Sequence, residues 1–349
     1  MSENFPYNKL NRELAEAKLV KENFKRTTLS FYRYVKIDQP SELRIDLFHS
    51  WEALGVLGRV YIAEEGINAQ VSIPEHNLHA FKNQLYSNLY FKNIPFKVAT
   101  ENNNQSFYKL TVKVKRQIVA DGLKASDYDV TNVGKHLDSK DWNEAVNNGA
   151  IVVDMRNHYE SEIGHFKNAI LPEAETFREE LPIVKSLLKG KEKENILLYC
   201  TGGIRCEKAS AYLKNEGFSS VNQLHGGIIN YVHDVKEKGL ENKFIGKNFV
   251  FDDRLSERVS EDVISNCHQC EESCDEHTNC KNVHCNLLFI QCETCKQKNN
   301  NCCSPECIEY ITLPVSKQNE MKPKKEVDKM FHSHKKINLH TKFENNNKL

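Results

Sequence analysis

The chain of 349 residues holds no apolar run approaching the ~20 residues of a membrane-spanning helix. Its opening residues, Met1-Ser2-Glu3-Asn4-Phe5, are polar and lack the apolar core of a signal peptide. These two absences argue against a membrane or secreted protein and lead us to expect a cytoplasmic one. Net charge is absent too: 48 Lys and Arg balance 48 Asp and Glu. No global field therefore steers the chain toward nucleic acid, and any RNA contact must come from a local patch. Cysteine, by contrast, is plentiful. Twelve cysteines in a reducing compartment read as metal ligands or catalytic groups before disulfides. The length exceeds one typical domain, so two or three are expected.

The chain is organised around Tyr199-Cys200-Thr201-Gly202-Gly203-Ile204-Arg205-Cys206. Ile196 to Tyr199 is a short apolar run of buried-strand type, and Glu207 to Lys214 is a helical pattern that Gly217 ends. Cys200 thus stands where a strand stops and a helix begins, the ligand-binding edge of an open α/β sheet. Successive N–H groups in such a turn form an anion-binding nest, and the helix N-terminus adds positive potential. Both favour the Cys200 thiolate, and Arg205 adds a fixed charge. Phosphatases of the cysteine type need five residues between Cys and Arg; only Thr201, Gly202, Gly203 and Ile204 intervene here. The tighter cradle suits a single sulfur and resembles the active loop of a rhodanese. Cys206 reads as a buried helix cysteine or as a resolving thiol.

Upstream, residues 1–26 form a charged lead-in. Residues 27–122 read as a β-α-β-β-α-β unit, the ferredoxin-like (acylphosphatase-like) arrangement. Its expected strands are Leu29 to Ile37, Gly58 to Ile62 and Ala69 to Ile73, closed by Pro95 to Ala99 or Tyr108 to Val119. Helices are expected from Pro40 to about Leu54 and from Pro74 to about Leu85, with a turn at Glu64-Glu65-Gly66-Ile67-Asn68. Lys109, Lys113, Lys115 and Arg116 make the last strand basic, with the three lysines on one face. That face is either solvated or a contact for RNA phosphates. Ser126 to Asp129 reads as a linker.

Residues 130–240 alternate strands and helices with short connections, as in a doubly wound parallel sheet. Asp138 caps a helix ended by Gly149, Ala150 to Asp154 is a central strand, and Pro182 to Leu188 another helix. Val221 to Leu224 and Ile228 to Lys238 close the domain. Asp154, Glu160 and His165 read as scaffold, and Arg156 as a residue near the anion pocket.

Residues 241–312 are a Cys-rich region after the strand-like Phe244 to Arg254. Cys267, Cys270, Cys274, Cys280, Cys285, Cys292, Cys295, Cys302, Cys303 and Cys307 fall within 41 residues. The Cys-x2-Cys pairs at 267/270 and 292/295 have zinc spacing, and the few apolar residues leave stability to metal. One or two structural zinc ions are expected, with the pairing open, His268, His277 and His284 as substitutes, and an iron–sulfur cluster as the competitor. Residues 313–349 form a basic tail, expected to be disordered, with Lys322, Lys324, Lys325, Lys335 and Lys336.

Gly58 to Ser72, the loop Tyr199 to Ser210, Phe244 to Arg254 and the cysteine block together resemble the bacterial rhodanese-related tRNA uridine 5-hydroxylase family. The resemblance covers roughly residues 28–310. It implies oxygen-dependent hydroxylation of the wobble uridine at C5, with O2 as co-substrate, an unidentified reductant and the anticodon region of tRNA as partner. Cys200 matches the family's active cysteine, a persulfide carrier by analogy with rhodaneses. Residue chemistry alone points instead to a persulfide sulfurtransferase, since no flavin fingerprint or two-His-one-carboxylate iron triad is present. A non-catalytic adaptor is the third reading, and an intact Cys200 and Arg205 argue against it.

Overall fold

The computed structural model describes residues 6–8, 12–100, 106–123, 129, 131–321, 332–333 and 339–344. They fall into two compact units. The first comprises Met1–Ala150, Lys191–Glu241 and Val250–Glu257; the second comprises Ile151–Gly190, Asn242–Phe249 and Arg258–Leu349.

The first unit opens with helix α1 (Arg12–Val20) and strand β1 (Arg26–Tyr34), followed by α2 (Pro40–Ala53), β2 (Leu57–Ala63) and β3 (Gly66–Pro74). A 3-10 turn at Glu75–Asn77 leads into α3 (Leu78–Ser87), then β4 (Lys97–Val98) and β5 (Leu110–Val114). The sheet order is β4-β1-β3-β2-β5. Neighbours are antiparallel except β5, which runs parallel to β2. This is the expected ferredoxin-like order with a fifth strand added. Both candidates for the closing strand form, on opposite edges. The turn is shorter than expected: Gly66 already pairs with Ala63 and Tyr34, so Glu64 and Glu65 alone reverse the chain. The helix predicted from Pro74 starts at Leu78, after the 3-10 turn. The helices cover one sheet face because apolar residues recur at strand period two and helix spacing. Phe31, Trp51 and Phe81 meet there, with the Trp51 and Phe81 ring centroids 5.1 Å apart.

Next come β6 (Lys135–Leu137) and α4 (Ser139–Asn147). The Asp138 side chain accepts from the Lys140 and Asp141 N–H groups, both at 2.9 Å, which caps α4 as predicted. The second unit then contributes β7 (Ile151–Asp154), α5 (His158–Ser161), β8 (Gly164–Phe166) and α6 (Phe177–Leu187). Helix α6 begins five residues before Pro182, because Thr176 caps it by accepting from the Glu179 N–H; the proline sits inside rather than at the first turn. The chain returns to the first unit with β9 (Asn195–Tyr199), α7 (Ile204–Asn215), β10 (Ser220–Leu224) and α8 (Gly227–Lys238). There β6, β10 and β9 lie side by side and parallel, with α4 against α8 and α7 against β9 and β10.

After β11 (Phe244–Phe249) and β12 (Ser256–Arg258), the second unit holds β13 (His277–Asn279) and β14 (Leu287–Ile290), paired antiparallel. Strand β11 pairs antiparallel with β8. Helices α9 (Glu293–Lys298), α10 (Pro305–Thr312) and α11 (Val315–Glu320), strand β15 (His332–Ser333) and helix α12 (Leu339–Glu344) follow. The tail is therefore not structureless throughout: α11 and α12 lie in it, and Leu339 is buried among Cys280, Leu287, Phe289 and Cys303. The linker residues Ser126, Asp127 and Tyr128, and the tail lysines 322, 324, 325, 335 and 336, lie outside the described residues. Among the described residues, no helix is long and apolar enough to cross a membrane.

Candidate active site and metal-binding clusters

Strand β9 delivers Cys200 to the end of the parallel sheet, where its side chain is fully buried. The turn Thr201-Gly202-Gly203 folds back so that the Gly203 N–H donates to Cys200 Sγ at 3.1 Å. Gly203 holds φ +95°, a left-handed conformation that glycine adopts without steric cost, and it precedes the first residue of α7. Arg205 donates to Thr201 Oγ1 at 3.4 Å, and its guanidinium stands 5.8 Å from the Phe251 ring centroid. The first turn of α8 clamps the loop from below. Ile228 and Ile229 N–H groups donate to the Cys200 and Thr201 carbonyls at 3.0 and 3.2 Å. Gly227 permits this approach, since a Cβ there would lie 2.5 Å from the Cys200 carbonyl oxygen.

Burial alone would push the Cys200 thiol up. The Cys206 thiol, the Arg205 charge and the Arg205 and Cys206 N–H groups outweigh it and hold Cys200 down at about 6. Cys206 moves the other way: burial and the adjacent Cys200 sulfur raise it well above the ordinary thiol range. Cys206 is thus the protonated donor and Cys200 the thiolate acceptor.

The ferredoxin-like half of the same unit covers this loop. A Cβ on Gly203 would meet the Tyr32 hydroxyl at 2.9 Å, and one on Gly202 would meet Lys97 Cδ at 3.7 Å. Tyr32 donates to Glu207 Oε1 at 3.0 Å, and Tyr34 to the Ile204 carbonyl at 3.2 Å. Glu207 also bonds His136 and Gln223, both at 3.0 Å. Burial works against the Glu207 carboxylate, but these partners keep it below its usual range. Lys208, fully buried, pairs with Glu65 at 2.9 Å and Asp121 at 2.8 Å. Glu65 also accepts from the Ile118 N–H at 2.7 Å, so the Glu-Gly-Ile-Asn stretch supplies an anchor for α7 beyond turning the chain. Beside the loop opens a cavity of about 330 Å³ whose lining includes Tyr32, Phe96, Lys97, His136, Glu207 and His225.

Only Lys113 lies within β5; Lys109 precedes it and is half-buried, whereas Lys113, Lys115 and Arg116 are exposed. Ladder bonds continue past both ends of β5, from the Gly58 N–H to the Lys109 carbonyl and from the Lys115 N–H to the Ile62 carbonyl, so the three lysines keep the period-two spacing of one face. Arg156 is fully buried, bonded to Asp154 at 2.8 and 2.6 Å and to the Gly164 carbonyl at 2.6 Å, so it ties β7 to β8. Sequence reasoning missed Tyr32, Lys97, His136 and Glu207 as neighbours of the loop. No local spacing joins positions so far apart.

Eight of the ten clustered cysteines in the second unit form two groups of four. Cys267, Cys270, Cys292 and Cys295 make one, Cys280, Cys285, Cys303 and Cys307 the other, with all sulfurs of a group within 4.8 Å of one another. The pairs alternate along the chain, so the groups are interleaved, and the β13–β14 hairpin runs between them. Sulfur separations of 3.6 Å (270/292), 3.5 Å (285/303) and 3.8 Å (303/307) agree with the ~3.8 Å that a tetrahedral metal with ~2.3 Å sulfur bonds requires. The residues therefore fit a tetrathiolate metal at each group. Cys274 and Cys302 belong to neither: Cys274 Sγ accepts from the Glu276 N–H, and the Cys302 thiol points to the Asn300 carbonyl. His268, His277 and His284 are likewise outside both groups.

Family models match residues 26–118 (UPF0176 acylphosphatase like domain), 136–234 (rhodanese-like domain) and 245–308 (rhodanase C-terminal). A tRNA uridine(34) hydroxylase of Leptospira interrogans is 56% identical over 332 residues, 95% of this chain and 90% of that protein. One of Escherichia fergusonii is 47% identical over 322 residues, 92% of each chain. A solved rhodanese-like domain protein of Staphylococcus aureus, 21% identical, covers 28% of this chain and 90% of its own, with a TM-score of 0.24. On the extent and identity of the two curated relatives, the chain belongs to the tRNA uridine(34) hydroxylase family.

Proposed function

We propose that this enzyme, an oxidoreductase, hydroxylates the wobble uridine of tRNA at C5 to give 5-hydroxyuridine, with O2 as oxygen donor. The reading is carried by a buried thiolate, Cys200, held in a backbone cradle in a chain that belongs to this family. One oxygen atom is inserted into the C5–H bond and the other leaves as water, with two electrons and two protons supplied by a reductant outside the chain and the solvent. Cys200 supplies the reactive sulfur. Arg205 and the N–H groups of Gly203, Arg205 and Cys206 hold its charge, while Thr201, Gly202 and Ile204 complete the loop. Exposed Lys113, Lys115 and Arg116 suit phosphates flanking the anticodon, in the cytoplasm where tRNA is found. Each four-cysteine group holds a structural zinc ion that keeps a region poor in apolar residues folded.

A second reading, sulfur transfer from a Cys200 persulfide, is favoured by the thiolate at about 6. Adding oxygen and exchanging oxygen for sulfur change the uridine mass by nearly the same amount, so labelling separates them. Purified protein, unmodified tRNA, a reductant and heavy-isotope O2 are expected to give labelled 5-hydroxyuridine. An unlabelled, sulfur-containing nucleoside instead would support the transferase.

A further inference from the structure

The cavity beside the active loop carries an inference that rests on the proposed hydroxylation. We infer that it seats the everted wobble uracil, with Lys97 donating to O4 and Glu207 accepting from N3–H. At about 330 Å³ the cavity is at the small end of the ~300–1,000 Å³ range of ligand pockets, room for one nucleoside and not for a helix. Its aromatic members, Tyr32, Tyr34 and Phe96, offer the faces on which an unstacked base packs.

The polar members supply the selectivity. Lys97 is only 6% exposed, and among the described residues its ammonium has no hydrogen-bond acceptor or paired carboxylate. It stands over the Tyr32 ring, 4.4 Å from the centroid. Its Nζ keeps its opening to the cavity, where a ligand acceptor would meet it. Burial also brings its amine down to about 8, against the opposing pull of Cys200 and Glu207. Glu207 accepts from Tyr32, His136 and Gln223, which fix its carboxylate and fill three of its ~four acceptor sites. One fixed acceptor site and one unmet donor face the same space. Uracil presents an acceptor at O4 beside a donor at N3, which matches; cytosine presents a donor at N4 beside an acceptor at N3, which clashes at both. The Lys97 stem passes the loop at Gly202 and its amine feels the Cys200 charge, so a base held by it lies beside the active loop.

The test is binding of two anticodon stem-loops that differ only in uridine or cytidine at the wobble position. Wild type is expected to prefer the uridine form by ~10- to 100-fold, the discrimination of one matched polar pair. Lys97→Met should narrow that preference several-fold, bind the cytidine form at least as well as wild type does, and melt no lower than wild type, since it fills the same space without a charge. A Lys97→Met protein whose uridine preference equals that of wild type, or that loses both forms equally, overturns the assignment. Binding is read without turnover: a wild type that makes no 5-hydroxyuridine counts against the hydroxylase reading, while the uridine preference decides the pocket.

Discussion

Replacing Cys206 by alanine removes the thiol that donates to the Cys200 sulfur, the largest single contribution holding that thiolate down against burial. A hydrogen bond to a charged group is worth ~1.5–3 kcal/mol, and a thiol is a weak donor, so the low end applies. At ~1.4 kcal/mol per pKa unit, Cys200 should rise by ~1 unit from its starting point of about 6. The thiolate fraction near pH 6 would fall from about a half to about a tenth. Alkylation by iodoacetamide, followed at the Cys200 peptide by mass spectrometry across ~pH 5–9, reads this directly, because only the thiolate reacts. Cys206→Ser keeps a donor at the same place and should leave the midpoint near that of wild type. A wild-type midpoint near the free-thiol value of ~8.5, or no change in Cys206→Ala, would refute the argument.

Further outcomes follow from the same geometry. Lys208→Met leaves the fully buried Asp121 and the partly buried Glu65 without their cation, a change worth ~3–5 kcal/mol; urea unfolding should shift to clearly lower concentration, and an unchanged midpoint would count against the pairing. Elemental analysis should find two zinc ions per chain, one after Cys270→Ser or Cys285→Ser, and still two after Cys274→Ala; stoichiometric iron would overturn the zinc assignment. Replacing Lys113, Lys115 and Arg116 with Gln should weaken tRNA binding and flatten its log–log salt dependence by ~0.7–0.9 per lost phosphate contact; an unaltered slope removes them from the interface.

What the sequence made legible was local. The strand, cysteine, glycine pair and helix around Tyr199–Cys206 are contiguous, and the loop folds as their order implies. Period-two and helical patterns gave the ferredoxin-like order, while the placement of β5 depended on a parallel pairing with β2 that no pattern within the strand specifies. The cysteine density announced metal, but the alternation of the two groups arises from the β13–β14 hairpin, so spacing could neither divide the ten nor set aside Cys274 and Cys302. Lys97 and Glu207 were invisible for the same reason: they line one cavity only because the folded unit brings β4 and α7 to its walls. The partners of Arg156 were not legible either: Asp154 and the Gly164 carbonyl take up its guanidinium, contacts that Asp-x-Arg after a strand does not announce.

The most direct test of the central claim is nucleoside mass spectrometry of tRNA from cells lacking this protein, with wild type or Cys200→Ala restored separately. Nucleosides derived from 5-hydroxyuridine should vanish in the deletion and return with wild type alone. Their return with Cys200→Ala, or their persistence in the deletion while a thiolated nucleoside disappears, would contradict the account.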